Sequence, residues 1–130
     1  MTQKPPARFD GHYPYRAPID AYGNGGFRFA DMSHRGSLLC LASGMHAWSV
    51  TSPDQLTPET LAAALAEAGQ LGFILVGTGR TQVFPSAALR AAFAAVDLGL
   101  EVMDTGAAAR TYNILLGEGR PVGAALIAVE

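Results

Sequence analysis

The sequence predicts a single α/β domain, in which a small antiparallel sheet comes first and a half with mostly parallel strands follows. The chain has 130 residues, which is enough for one hydrophobic core but too few for two. Its first half contains short apolar runs bounded by glycine, the pattern of β-hairpins. Its second half alternates segments of helical period with short continuous apolar runs, the pattern of strands joined by helical crossovers.

The N-terminal segment, residues 1–18, is predicted to be a tail outside the core. It shows little periodicity, and prolines recur along it, at Pro5, Pro6, Pro14 and Pro18. Such a segment lies on the domain surface or stays mobile. The single α/β domain is therefore expected to span residues 19–130.

Strands bounded by glycine are expected from residue 19 onward. Residues 23–26 read Gly-Asn-Gly-Gly, and because glycine and asparagine tolerate positive φ angles, they predict a hairpin or bulge between two short strands. Apolar and polar residues alternate over 27–32, and further apolar runs cover 37–41 and 45–50. This first half is predicted to form a small, mainly antiparallel sheet.

The second half is predicted to alternate helices and strands, over residues 57–69, 73–76, 86–99, 100–103, 105–117 and 122–129. Thr57, which precedes Pro58, and Ser86 are typical helix-capping residues. Strands separated by helices favour parallel pairing, and the direction of the last strand is left open. The residues predicted at inward positions are Leu75, Val76, Leu89, Phe93, Leu115 and Ile127.

The composition excludes several classes of protein. The 9 basic and 11 acidic residues give a net charge of -2 and form no basic stripe, so nucleic acid is not an expected partner. No apolar run approaches the roughly 20 residues of a transmembrane helix, although peripheral membrane contact stays open. The N-terminus lacks the apolar stretch of a secretion signal, and the single cysteine, Cys40, fits a reducing compartment. A cytoplasmic protein is therefore expected.

Two loops at the carboxyl ends of the predicted parallel strands are candidate ligand sites. They contain the candidate binding residues Gly77, Thr78, Gly79, Arg80, Asp104, Thr105, Gly106 and Arg110. Small residues let a ligand approach the backbone, a helix N-terminus favours an anion, and arginines add charged donors. A phosphate or a carboxylate would fit a crevice between these loops.

The same loops also have a structural interpretation. Their glycines would be turn residues, Asp104 or Thr105 would cap the following helix, and Arg110 would form an ion pair with Asp104 or Glu118. Neither loop completes a known phosphate-binding motif, because Gly-Thr-Gly lacks a third glycine and no Gly-Lys-Ser/Thr sequence occurs. The structural interpretation is therefore favoured, and ligand binding stays the alternative.

No catalytic or metal-binding motif is recognised in the chain. The Gly-x-Ser-x-Gly pattern of a nucleophile elbow does not occur, and Cys40 lies in an apolar run where burial would make its thiol inert. The histidines, His12, His34 and His46, have neither helical spacing nor a Cys-x-x-Cys frame beside them. We therefore assign no catalytic residue, no metal and no cofactor, and the residues favour a non-enzymatic protein over an enzyme.

Aromatic residues are concentrated in the predicted N-terminal sheet, at Tyr22, Phe27, Phe29 and Trp48. Aromatic side chains that alternate along strands usually belong to the core. The alternative is an interface that buries them against a partner protein.

Several segments together resemble one family of small domains, whose eukaryotic member is the mitochondrial assembly factor 3 of respiratory complex I. The resemblance covers residues 19–129 and is carried by Asp20-Ala21-Tyr22-Gly23, Gly26-Phe27-Arg28-Phe29, Gly36-Ser37-Leu38-Leu39, Val76-Gly77-Thr78-Gly79 and Met103-Asp104-Thr105 with Ala108, Arg110, Thr111, Tyr112 and Asn113. It implies a three-layer β/β/α fold and transfers no catalytic residues. No mitochondrial targeting extension precedes the matching segments, as expected of a bacterial cytoplasmic protein.

The resemblance implies a non-enzymatic interaction factor that assists assembly of a membrane respiratory complex. Its expected partners are proteins, such as respiratory complex subunits or other assembly factors. The alternative is a protein that binds, or an enzyme that acts on, an anionic or phosphate-containing small molecule in the crevice between residues 77–80 and 104–110. A concave crevice with converging donors would favour the second function, and a shallow capped surface the first.

Overall fold

The computed structural model describes residues 7–130, so the part of the predicted tail before residue 7 lies outside the described residues. The strands are β1 (Ala7–Arg8), β2 (His12–Tyr13), β3 (Ala21–Gly23), β4 (Gly26–Phe29), β5 (Met32–Arg35), β6 (Ser37–Leu41), β7 (Gly44–Trp48), β8 (Phe73–Gly77), β9 (Gly99–Met103) and β10 (Val122–Leu126). The helices are α1 (Ala62–Ala66), α2 (Ala87–Ala95) and α3 (Thr105–Gly117), with a 3-10 turn at Pro53–Gln55.

The strands form two sheets. The outer sheet has the order β1-β5-β4-β3, and the central sheet has the order β2-β7-β6-β10-β8-β9. In the central sheet β8, β9 and β10 are parallel, whereas β10 runs antiparallel to β6 on its other side. The direction that the sequence left open is thus parallel to β8, and the predicted α/β class is confirmed.

One assignment within the class differs from the prediction. Strands β6 and β7 do not form a separate small sheet with β3 and β4; they extend the C-terminal strands through the pairing of β6 with β10. Every residue of β6 is buried. A strand that is buried on both faces needs a central position in a covered sheet, which the outer sheet does not offer.

The central sheet is covered on both faces. One face packs against the outer sheet and α3, and this cluster includes Phe27, Phe29 and Tyr112. The other face packs against α1 and α2 and includes Leu61 and Phe93. Of the predicted core residues all are buried except one, Leu115, which lies in the last turns of α3 and is only partly covered.

The segment before residue 19 contributes to the core, contrary to the predicted tail. Phe9 and Ala17 are buried, and the Phe9 ring packs edge-on against Phe29 with 5.1 Å between centroids. The Tyr112 hydroxyl donates to the Ala17 carbonyl at 2.9 Å. The sequence does not reveal this packing, because β1 and β2 have two residues each, too few to show an alternation of apolar and polar residues.

The first helix is shorter than predicted. Thr57 accepts from the Thr60 backbone N–H at 3.1 Å, as a capping residue should, yet regular helix covers only α1. The Thr60 carbonyl accepts from the indole N–H of Trp48 at 2.8 Å. Side-chain hydrogen bonds of this kind compete with the helical pattern, and here they hold the first turns out of it. The Ser86 cap of α2 is confirmed, since its hydroxyl accepts from the Leu89 N–H at 3.1 Å.

Candidate functional site

The two predicted loops meet, and Thr105 joins them. Its hydroxyl accepts from the Gly79 N–H at 2.9 Å and donates to the Ile127 carbonyl at 2.7 Å. Its backbone N–H donates to the Gly79 carbonyl at 2.8 Å. Thr105 is completely buried. We call residues 77–79 and 104–106 the loop junction; one hydroxyl there connects the end of β8, the start of α3 and the residue that follows β10.

Gly77 and Thr78 also serve the loop junction rather than an open crevice. A Cβ at Gly77 would lie 2.8 Å from the Cα of Thr105, so the close approach that glycine permits is made by the chain itself. The buried hydroxyl of Thr78 donates to the Thr81 carbonyl at 2.6 Å and accepts from the Val83 N–H at 3.1 Å. The structure brings these residues together, and their polar groups already have internal partners.

The N-terminus of α3 has few donors left for an anion. The N–H of Thr105 is bonded to Gly79, the N–H of Ala107 donates to the Asp104 carboxylate at 2.9 Å, and the N–H of Ala108 donates to the Asp104 carbonyl at 3.0 Å. Asp104 is therefore a helix cap, as the structural interpretation expects. In the first turn of α3 only the Gly106 N–H has no partner among the described residues.

The two candidate arginines point to different surroundings. Arg80 is exposed, and Arg110 places Nη1 3.4 Å from the hydroxyl of Tyr22 on β3. Among residues 7–130 the one ion pair is Arg120 with Glu118 at 4.0 Å, so the predicted pairing of Arg110 with Asp104 or Glu118 is not formed. Arg110 instead borders an open cleft of about 390 Å³ between β3 and α3.

Tyr22 is the residue that sequence reasoning missed at this site. It lies 88 positions from Arg110. A Cβ at Gly106 would meet the Tyr22 hydroxyl, so the small residue lets the tyrosine side chain lie directly against the start of α3. Tyr22 is also the exposed member of the aromatic group, whereas Phe27, Phe29 and Trp48 are buried in the core as the usual interpretation predicts.

A second polar group lies in the interior, around Cys40. Burial raises the pKa of its thiol, and hydrogen bonding to Tyr112 and the charge of Arg16 only partly oppose this. Burial likewise raises the pKa of the Tyr112 hydroxyl. The Arg16 guanidinium donates to the Val122 carbonyl. The thiol therefore stays protonated and unreactive, which argues against Cys40 as a nucleophile.

A third polar cluster joins the β6–β7 turn to the end of α1. The Ser43 hydroxyl donates to Glu67 at 2.5 Å and contacts Nε2 of His46 at 2.7 Å, and the His12 ring stacks on His46 with 4.6 Å between centroids. A serine nucleophile needs a histidine that accepts its proton. Here the Ser43 hydroxyl donates its proton to the Glu67 carboxylate and not to the imidazole. The cluster therefore links the β6–β7 turn to the end of α1.

No group of three or more His, Cys, Asp or Glu side chains within the described residues is placed to hold a metal ion. Within the same residues, no helix combines the length and apolarity that a membrane crossing requires.

Comparison with known proteins places this architecture in a family. The family described as "Protein of unknown function (DUF498/DUF598)" matches residues 19–127. The chain belongs to this family. A crystal structure from Bartonella henselae, described as that of an outer membrane protein, is 49% identical and superposes with a TM-score of 0.88, covering 92% of this chain and 100% of that one.

The chain is also similar in sequence to two further proteins. An uncharacterised protein of Rhodobacter capsulatus is 42% identical over 110 residues, covering 85% of this chain and 83% of that protein. The human NADH dehydrogenase (ubiquinone) 1 alpha subcomplex assembly factor 3 is 33% identical over 110 residues, covering 84% of this chain and 59% of the human protein. The resemblance seen in the sequence is thus confirmed, and this chain spans about six tenths of the length of the human relative.

Proposed function

We propose that this protein is a non-enzymatic interaction factor that assists assembly of a membrane respiratory complex of the complex I type. The observation that carries the proposal is its similarity to complex I assembly factor 3 across 84% of this chain. Its partners in this proposal are proteins, namely subunits of the complex or other assembly factors. We further propose that it acts from the cytoplasmic side of the membrane.

The geometry of the loop junction supports this proposal over small-molecule catalysis. Binding sites for small ligands present converging, unsatisfied polar groups in a concave pocket. At the loop junction the donors and acceptors of Thr78, Gly79 and Thr105 are bonded to other parts of the chain. Few polar groups there are free to converge on a ligand, which supports an interaction factor.

Deletion of the gene in a host that makes complex I is the direct test. We expect less assembled complex I on native gels and a parallel fall in NADH-quinone oxidoreductase activity, with unchanged transcript levels for the subunits. Succinate dehydrogenase, a separate membrane complex, serves as the control and should be unaffected. Normal complex I content in the deletion strain would contradict the assembly function.

A second candidate function, oxyanion binding, keeps support from one specific arrangement. The Tyr22 hydroxyl and the Arg110 guanidinium lie against Gly106 at the start of α3, and both of these side chains line the open cleft. A hydrogen bond from a charged donor contributes about 1.5 to 3 kcal/mol, so Arg110→Ala would weaken phosphate binding by that amount. Titration with phosphate, nucleotides and small carboxylates, followed by the amide shifts of Gly77, Gly79, Gly106 and Ala107, tests it. Amide chemical shifts that stay unchanged at millimolar ligand would contradict oxyanion binding.

A further inference from the structure

Strand β9 is an open edge of the central sheet. The Gly99 N–H donates to the Gly72 carbonyl at 3.1 Å, and the Thr78 N–H donates to the Met103 carbonyl at 2.8 Å. In a parallel ladder the backbone groups of alternate residues face the same neighbour, so those of Gly99, Glu101 and Met103 face β8. The backbone groups of Leu100 and Val102 consequently face away from the sheet.

A single side chain covers this edge. The Gln82 side-chain amide donates to the Val102 carbonyl at 3.0 Å, and no other described residue bonds to the outward groups of Leu100 and Val102. Unpaired edges are templates for another strand, and proteins normally protect them. Here the protection is one exposed glutamine, which a partner strand could replace with its own N–H.

Apolar surface lies next to Gln82. Phe84 is 79% exposed and Val83 is 39% exposed, on the segment that follows the loop junction. Leu100 and Val102 are only partly buried against the α1–α2 side of the sheet. An added strand could therefore bury side chains on that side as well as pair its backbone.

Glu101 determines which strand can pair. Its exposed carboxylate points to the opposite side of the sheet from Leu100 and Val102, and none of the described residues forms an ion pair with it. If two copies of this chain paired through the outward groups of both Leu100 and Val102, their two Glu101 side chains would lie directly opposite. Like charges in that position are destabilising, whereas an opposite charge is favourable. The edge thus disfavours pairing with a second copy of this chain and favours a partner strand with a basic residue opposite Glu101.

We propose that β9 is the docking edge for a partner protein, which adds an extended segment with a lysine or arginine opposite Glu101 and apolar residues beside Leu100 and Val102. This is β-strand addition, in which the backbone provides affinity and alternate side chains provide specificity. The proposal deepens the interaction function above and rests on it, because it specifies the form and charge of the partner.

Photo-crosslinking in cells tests the partner. A benzophenone amino acid at Phe84 should crosslink to one protein, at a segment that carries a basic residue between apolar ones. The same group at Ile114, which is 62% exposed on α3, serves as the position control and should not give that product. In this background Glu101→Lys should reduce the product at least fivefold, while Glu59→Lys, the same charge change elsewhere on the surface, should not. A homodimeric product, a helical contact segment, no product, or a yield that Glu101→Lys leaves unchanged would overturn the proposal.

A measurement on the purified protein needs no partner. Isotope-labelled wild type at millimolar concentration should show amide shifts at Leu100 and Val102 when Glu101→Lys protein is added, because glutamate and lysine then face each other. Added wild type or Glu59→Lys protein should produce shifts at least tenfold smaller. Equal shifts with wild type, or none with Glu101→Lys, would show that Glu101 does not select the pairing strand.

The two proposals can fail separately. Normal complex I in the deletion strain would remove the assembly function even if the Phe84 crosslink depends on Glu101. Reduced complex I in the deletion strain, together with a crosslink yield that Glu101→Lys leaves unchanged, would support the assembly function and contradict β9 as the docking edge. Amide spectra of each variant establish that it folds before either result is interpreted.

Discussion

The loop junction and the β9 edge are close in the chain but treat their polar groups in opposite ways. At the loop junction, the hydroxyl of Thr105 and the backbone of Gly79 are bonded to each other, and Thr105 is fully buried. At the edge, the backbone groups of Leu100 face outward without partners among residues 7–130. A site whose polar groups are satisfied internally stabilises the fold, whereas one whose groups are open is available for recognition.

The two regions also differ in sequence, since one has a glycine motif and the other has none. The Gly-Thr-Gly loop attracts attention because glycines before a helix often surround a phosphate. In the structure its glycine at position 77 makes room for Thr105, whereas a row of backbone groups unpaired within the described residues lies along β9, a strand without a motif.

The largest effect is expected at the hydroxyl that holds the loop junction together. Thr105→Val leaves the Gly79 N–H and the buried Ile127 carbonyl without their partner, which should cost about 2 to 4 kcal/mol of unfolding free energy. Thr105→Ser keeps the hydroxyl and loses one methyl group, for about 1 kcal/mol. Chemical denaturation of both variants measures the difference. Equal losses would mean that the hydrogen bonds contribute little.

Crowding the loop junction should have the next largest effect. In Gly77→Ala the added Cβ would lie 2.8 Å from the Cα of Thr105 and 3.1 Å from a methyl group of Leu126, so the backbone must shift, at a cost of about 1 to 3 kcal/mol. The matched control is Gly117→Ala at the end of α3, where a Cβ meets nothing within 4 Å. That control should be neutral or slightly stabilising. If Gly117→Ala lowers the thermal unfolding midpoint more than Gly77→Ala does, the close contact between residue 77 and Thr105 is wrong.

At the opposite end of the central sheet, β2 pairs with β7 and places His12 beside His46. There burial and the neighbouring His12 lower the pKa of His46, against the opposing charge of Glu67. The unfolded chain then binds more protons than the folded one below about pH 6.5, so stability should fall as the pH decreases through this region and level off above it. His46→Gln should flatten this part of the stability profile. An NMR titration midpoint for His46 at or above its ordinary value would contradict the lowered pKa.

The smallest effect is expected at the open edge itself. Gln82→Ala removes one exposed hydrogen bond to the Val102 carbonyl, and surface changes of this kind alter stability by less than about 0.5 kcal/mol. Hydrogen exchange at the interior amides of β8 should be unchanged. A loss above 1 kcal/mol would show that Gln82 is part of the fold rather than a removable cover.

The sequence determined the features that local chemistry decides. The capping role of Ser86, the helical stretches around Phe93 and Tyr112, and the buried strand at 73–76 follow from residue type and spacing, which act over a few positions. The location of both candidate loops at strand ends was predicted for the same reason. Family membership was also visible, because several short segments match in order.

Tertiary structure decided what depends on contacts between distant positions. The core placement of Phe9, the meeting of Tyr22 with Arg110 and the joining of β6 to β10 bring together residues that no local period relates. Whether the Thr105 hydroxyl faces a ligand or another part of the chain depends on where Ile127 lies, 22 positions away. Patterns of residues determine which elements form, but the packing of those elements determines which polar groups remain free to bind.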